Sequence, residues 1–236
     1  MHYPAPLVVG RLVRRYKRFF ADVEIGRGAE RRVVTAHCAN PGSMRTCAEP
    51  GGRVWLLPAD DPKRRLAWTW ELAEISGSIV SVNTARANQI VAEAIAARAI
   101  AELTGYHEVK REAPAGDSRI DFLLSRGAGE RCWVEVKCAT MDGGRGGAAF
   151  PDSVTDRGAR HVGELARLRR RGDRAVLLFC VARAGVSHVR PADEIDPDYG
   201  LALRRASRAG VEVLAYRAAI DPRRGIALAD AVPVEL

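Results

Sequence analysis

The chain has 236 residues, 47% of them hydrophobic and 28% charged, which is enough apolar material to bury a sizeable core and excludes a disordered or fibrous protein. Its formal net charge is +8 and its sequence pI about 9.6, with arginine far outnumbering lysine; an excess carried on planar guanidinium forks points to a phosphate-bearing partner. No apolar run approaches the roughly 18 residues that cross a bilayer, and Met1-His2-Tyr3-Pro4 does not open a signal peptide, so a cytoplasmic location with no membrane partner is expected.

Residues 7 to about 83 read as β-rich, and residues 1–83 are expected to form one domain. β-favouring stretches at residues 12–25, 32–38, 53–57, 66–75 and 79–82 are separated by turn signals at Gly26-Arg27-Gly28, Asn40-Pro41-Gly42, Pro50-Gly51-Gly52, Asp60-Asp61-Pro62 and Ser76-Gly77. Five short strands predict a small barrel. An OB-like barrel is the natural candidate, because that fold binds single-stranded nucleic acid through basic and aromatic side chains. Tyr16-Lys17-Arg18-Phe19-Phe20 interleaves the two types just after Arg14 and Arg15. Arg14, Arg15, Lys17, Arg18 and Phe19 are therefore candidates for contact with nucleic acid; the competing reading places Phe19 and Phe20 in the core and leaves the arginines solvated.

Residues 84–236 follow as a mixed α/β domain. The pattern becomes an alanine-rich helix over 87–103, closed by Gly105. On that helix Ile90, Glu93, Ala97 and Ile100 share a face, so Glu93 interrupts an apolar stripe: it either leans inward as a third carboxylate of the site that comes next or sits at the margin of the stripe and reaches water. Strands are predicted at 108–112, 120–124 and 132–137.

The second and third of these strands carry the most informative pattern in the chain. Ile120-Asp121-Phe122 and Val134-Glu135-Val136-Lys137 place charges inside apolar runs, where a charge costs several kcal/mol unless it is paired or bound to a metal. The two-residue period of the third strand sets Trp133, Glu135 and Lys137 on one face. If the strand of Asp121 pairs with it, two carboxylates lie together with an ammonium beside them, a set of hard oxygen ligands for Mg²⁺. An edge strand showing Glu and Lys to water is the plain alternative.

A Gly-rich loop is expected over 142–149. Thr155 then caps a helix over 156–171 that carries Arg157, His161 and Glu164 on one side. A strand over 175–182, a helix over 198–208 and a strand over 211–216 complete the order helix, three strands, helix, strand, helix, strand, which implies a partly parallel sheet. Cys38, Cys47, Cys132, Cys138 and Cys180 are scattered and never form a CxxC pair, which argues against structural zinc and a disulfide framework.

That order, with a carboxylate on the second strand and ExK on the third, resembles the PD-(D/E)xK nuclease superfamily. Arg15-Tyr16-Lys17-Arg18-Phe19, His37-Cys38, Gly42-Ser43-Met44, Thr69-Trp70-Glu71-Leu72, Val82-Asn83-Thr84, Ala87-Asn88, Ser118-Arg119-Ile120-Asp121-Phe122, Glu135-Val136-Lys137, Phe150-Pro151-Asp152 and His161 together resemble the sugar fermentation stimulation protein A (SfsA) family over almost the whole chain. The resemblance implies an OB-like domain joined to a nuclease-like α/β domain and binding of DNA, single- or double-stranded, with RNA a second candidate. It implies Asp121, Glu135, Lys137 and Glu93 as catalytic positions. A Mg²⁺ or Mn²⁺ ion is then held by Asp121, Glu135 and the Val136 carbonyl. Asn40, Ser43 and Arg45 join the nucleic-acid contacts on the barrel side, and Arg157 and His161 on the helix side, with His161 equally a candidate for a structural hydrogen bond. Pro41 stands where the family usually has a hydroxyl residue, which removes one phosphate contact. A DNA-binding regulator of sugar-metabolism (maltose-type) genes, keeping the scaffold without the chemistry, is the second functional expectation.

Overall fold

The computed structural model describes residues 1–61, 63–116, 118–127 and 129–236. Pro62, expected in a turn, lies outside the described residues. The chain opens with six strands: β1 (Val8–Tyr16), β2 (Phe20–Ile25), β3 (Arg32–His37), β4 (Arg53–Pro58), β5 (Trp68–Ile75) and β6 (Ser78–Ser81). They lie in the order β3-β2-β1-β4-β5-β6, and His37 of β3 meets Thr69 of β5, which closes the first five strands into a barrel. Leu12, Val23, Ala36, Leu56 and Trp70 point into it.

Residues 12–25, expected as a single β-favouring stretch, fold back as a hairpin. Lys17 and Arg18 take left-handed φ values of 45° and 63°, a conformation no glycine or proline at this point announced.

Helix α1 (Arg86–Ala96) comes next, shorter than the 87–103 expected. Its buried face is Ala87, Ile90, Val91 and Ala94, and Arg98 at φ 56° turns the chain out of the helix. A separate single turn of 3-10 helix covers Ala101–Leu103.

An antiparallel meander of β7 (Glu108–Ala115), β8 (Ser118–Arg126) and β9 (Glu130–Ala139) follows. The stretch expected as a Gly-rich loop is instead a hairpin, β10 (Met141–Gly144) and β11 (Gly147–Phe150). Then come α2 (Asp156–Arg170), β12 (Arg174–Val181), β13 (Val189–Pro191), α3 (Pro197–Arg208), β14 (Glu212–Asp221) and β15 (Gly225–Ala231). The large sheet has the order β15-β14-β12-β9-β8-β7, with β9, β12 and β14 parallel. β13 joins β11 in a small separate sheet.

The central strand β12 reads as a continuous apolar run because both of its faces are covered. Leu177, Phe179 and Val181 pack with Val162 and Leu165 of α2 and Leu203 of α3. Val176, Leu178 and Cys180 face the other way, toward Ile90 and Val91 of α1. Trp55 and Leu72 of the barrel strands belong to that second cluster, so the barrel and the large sheet share apolar packing. Among the described residues, no helix is long and apolar enough to cross a membrane.

Candidate metal and nucleic-acid site

The β8–β9 ladder runs from Arg126 opposite Glu130 to Phe122 opposite Val134. One residue beyond, a side chain takes over: Val136 donates its backbone N–H to Oδ2 of Asp121 at 2.8 Å. Asn88 of α1 donates to Oδ1 at 2.7 Å. Asp121 thus sits where the ladder opens, with a hydrogen bond on each oxygen.

Glu135 is 2% exposed. Its Oε1 accepts from Lys137 Nζ at 2.6 Å and from Nδ1 of His161 on α2. With Nδ1 donating, Nε2 of His161 is the acceptor that faces Arg157 Nε at 3.4 Å. The other carboxylate oxygen, Oε2, is buried without a partner. Burial, followed by the neighbouring Glu135 charge, pushes the Asp121 carboxyl above its ordinary range. Burial acts the same way on Glu135 but is outweighed by the His161 hydrogen bond and the Lys137 ammonium, which hold it below the ordinary range.

These groups line a cleft of about 530 Å³ whose other wall comes from the barrel. Arg18 at the hairpin tip and Arg157 at the start of α2 stand on its two sides. The barrel wall is fixed by an interlock of the 40–44 segment. Arg15 donates to the carbonyls of Asn40, Gly42 and Ser43 at 2.9, 2.8 and 3.0 Å. Asn40 donates to Val82 O at 3.0 Å and accepts from Gly42 N at 2.9 Å. Across the cleft, Ser43 Oγ donates to Asp152 O at 2.5 Å and Met44 N donates to Asp152 Oδ2 at 3.0 Å. A Cβ at Gly42 would lie 2.1 Å from Asp152 Oδ1, so any larger residue there has to displace the carboxylate that accepts Met44 N–H.

Several expected assignments change on this geometry. Asp121, Glu135 and Lys137 are brought together. Glu93 is not: its side chain is 51% exposed and pairs with the Met1 ammonium at 2.6 Å, because the helix ends before Ala97 and Ile100 can extend the stripe that was to bury it. Arg15, Asn40 and Ser43, expected to touch nucleic acid, direct their polar groups into the interlock. His161 is 5% exposed and holds Glu135. Arg14 is bonded to Asp22 at 2.8 Å and lies over the Tyr16 ring. Lys17, Arg18, Phe19, Arg45 and Arg157 are exposed. Asn88 and Asp152 were missed as site-forming residues; the motifs Ala87-Asn88 and Phe150-Pro151-Asp152 contain them, but nothing in the local pattern says what they face.

Among the described residues, no group of three or more His, Cys, Asp and Glu side chains is placed to hold a metal. The donor set is two carboxylates, one with a buried oxygen left over. That fits a hard cation, which keeps several waters, and not a zinc centre closed by nitrogen and sulfur.

Two family models match the chain in series, one described as "SfsA N-terminal OB domain" over residues 13–82 and one as "Sugar fermentation stimulation protein RE domain" over residues 85–224. The chain belongs to the SfsA family. It is 52% identical over 240 residues to a "Sugar fermentation stimulation protein homolog" of Pseudomonas paraeruginosa, covering 100% of both chains. With the homolog of Maricaulis maris it shares 50% identity over 223 residues, covering 94% of each. Among solved structures it is similar to Pyrococcus furiosus SfsA in complex with Ca²⁺, at TM-score 0.89 and 30% identity over 100% of this chain and 98% of that one. The expected architecture, an OB-like barrel followed by a mixed α/β domain, is the one found here.

Proposed function

We propose that this chain is a metal-dependent phosphodiesterase acting on DNA. The observation that carries the reading is the unpartnered, buried Oε2 of Glu135, a residue that lines the cleft together with Asp121. A buried carboxylate oxygen without a hydrogen bond is costly, and a divalent cation removes the cost. Asp121, Glu135 and the Val136 carbonyl would hold Mg²⁺ or Mn²⁺, which supplies a Lewis acid for a phosphate oxygen and an acidified water. The Ca²⁺ complex of the Pyrococcus furiosus family member supports a hard cation.

The chain's own groups have separate roles. Lys137, held against Glu135, sets a positive charge beside the position where negative charge grows on the phosphorus oxygens. His161 fixes the rotamer of Glu135 and leaves Oε2 free. Arg18 and Arg157 flank the cleft and neutralise phosphates on either side of the scissile one.

The test is incubation of the purified chain with end-labelled single- and double-stranded DNA in Mg²⁺, Mn²⁺, Ca²⁺ or EDTA. Cleavage should require Mg²⁺ or Mn²⁺ and vanish in Asp121→Ala and Glu135→Ala; cleavage persisting in both variants removes the assignment. A second reading, a DNA-binding regulator without chemistry, is favoured by the hydrogen bonds Asp121 already makes to Asn88 and Val136 and the pairing of Glu135 with Lys137 and His161. It predicts salt-dependent DNA binding with no cleavage in any metal.

A further inference from the structure

Five arginines lie at the C-terminal ends of α2 and α3, and the end of α2 is opposite the one that lines the cleft. Arg169, Arg170 and Arg171 close α2, and Arg205 and Arg208 close α3. The two helices pack on one face of the sheet and run into the parallel strands β12 and β14, so their C-termini finish at one edge. Arg169 crosses to the neighbouring helix end: a Cβ at Gly210 would lie 2.9 Å from its Nε.

All five are exposed, and among the described residues none forms an ion pair with a carboxylate. The nearby Arg167 and Arg204 are paired, with Glu164 and Asp193. Helix dipoles do not account for the cluster. A helix C-terminus carries about half a negative charge, so two of them offset about one of five positive charges. The remainder is a positive field that, among the described residues, no acid of the protein offsets and that attracts a polyanion.

The cluster is continuous with the cleft. Arg157, Arg160, Glu164, Arg167 and Arg171 follow the spacing i, i+3, i+7, i+10, i+14 and share one stripe of α2. Arg157 lines the cleft, and the single acid of the stripe is neutralised by Arg167. From Arg157 to Arg171 the helix rises about 21 Å at about 1.5 Å per residue, which is roughly six base-pair steps of about 3.4 Å.

We propose that the arginine edge formed by the C-termini of α2 and α3 is a second docking site for the phosphate backbone of duplex DNA, reached along α2 from the cleft. The proposal rests on the reading of DNA as the partner. It does not depend on cleavage.

The experiment is equilibrium binding in EDTA, by fluorescence anisotropy, with a duplex of about 24 base pairs and a hairpin of about 4, the latter too short to span about 21 Å. The variant Arg170→Gln/Arg171→Gln/Arg208→Gln should weaken the long duplex about tenfold or more and lower its log–log salt slope by about 2 to 3. On the short hairpin, which occupies one site at a time, the loss should be no more than about twofold. The matching Lys substitutions should restore the long-duplex affinity. Unchanged affinity and slope on the long duplex, or equal losses on both probes, overturns the proposal. So does failure of the Lys variant, and so does poly-glutamate displacing the duplex at equal charge concentration, which would make the edge a site for acidic polypeptide. If wild type binds neither probe at low salt, the DNA reading itself falls; if it binds with an affinity that falls as salt rises but never cleaves in metal, only the phosphodiesterase reading falls.

Discussion

Asn88 of α1 donates its side-chain amide to Oδ1 of Asp121 on β8 at 2.7 Å, while the other oxygen of the same carboxylate accepts the Val136 N–H. The helix therefore orients the carboxylate from one side and the neighbouring strand from the other. Residues that orient a metal ligand typically govern affinity by 10- to 100-fold. Asn88→Ala should weaken Mg²⁺ binding by about tenfold or more, read by isothermal titration calorimetry, with DNA affinity in EDTA unchanged. Equal Mg²⁺ affinity in the two proteins would show that Asn88 only packs there.

The two carboxylates should respond differently to removal. Glu135→Ala leaves Lys137 and His161, with side chains 11% and 6% exposed, facing a lost partner, and breaking such a pair costs about 3–5 kcal/mol. Asp121→Asn removes a charge that burial and Glu135 both disfavour, and it keeps an acceptor for Val136 N–H. In EDTA its stability should equal or exceed that of wild type, and added Mg²⁺ should stabilise it less. Urea unfolding with and without Mg²⁺ measures both; equal destabilisation by the two substitutions would contradict the asymmetry.

Asp22 on β2 gives the barrel a pH dependence. Burial alone would raise its carboxyl, but hydrogen bonds from Arg14, Thr35 and Tyr16 outweigh burial and hold it below its ordinary range. A lowered folded-state value stabilises above the unfolded value of roughly 3.9, and that contribution is lost as pH falls through the folded value. The difference in Tm between wild type and Asp22→Asn should be fully developed at neutral pH and shrink steadily in the acid range. A difference that stays constant or grows toward low pH would be the wrong sign.

Glu71 on β5 is fully buried and receives Arg86 through Nε at 3.0 Å and a terminal nitrogen at 2.7 Å, with Asn83 Nδ2 at 3.1 Å. This ties the barrel to the first turn of the helix that carries Asn88. Glu71→Ala should cost about 3–5 kcal/mol of stability. Mg²⁺ affinity should fall with it, through the displaced helix. Preserved stability on chemical denaturation would show the pair to be dispensable.

The residues that local chemistry betrays were legible in the sequence. Asp121, Glu135 and Lys137 were found because a charge in a period-2 apolar run demands an explanation, and the helix cap at Thr155 because its hydroxyl accepts Gly158 N–H at 2.9 Å in the ordinary capping manner. What failed depended on distant partners. Arg15, Asn40 and Ser43 look like surface polar residues until Asp152, 109 positions away from Ser43, closes over their loop. Glu93 depended on a helix boundary, and Arg98 in a left-handed conformation moved it. The hairpin at Lys17 and Arg18 turned without the glycine that would have announced it.

Gly42 has a consequence for how the two halves of the molecule can change. With Asp152 Oδ1 standing 2.1 Å from where a methyl group would go, an added carbon at this position pushes the carboxylate off Met44 N–H, one of the bonds that hold the barrel loop to the opposite wall. A barrel borrowed from another protein would have to bring that same vacancy to the same spot, or the carboxylates and the basic hairpin would face each other across the wrong gap. The halves are thus joined as lock plate and bolt are, cut to one measure, and neither is an interchangeable part.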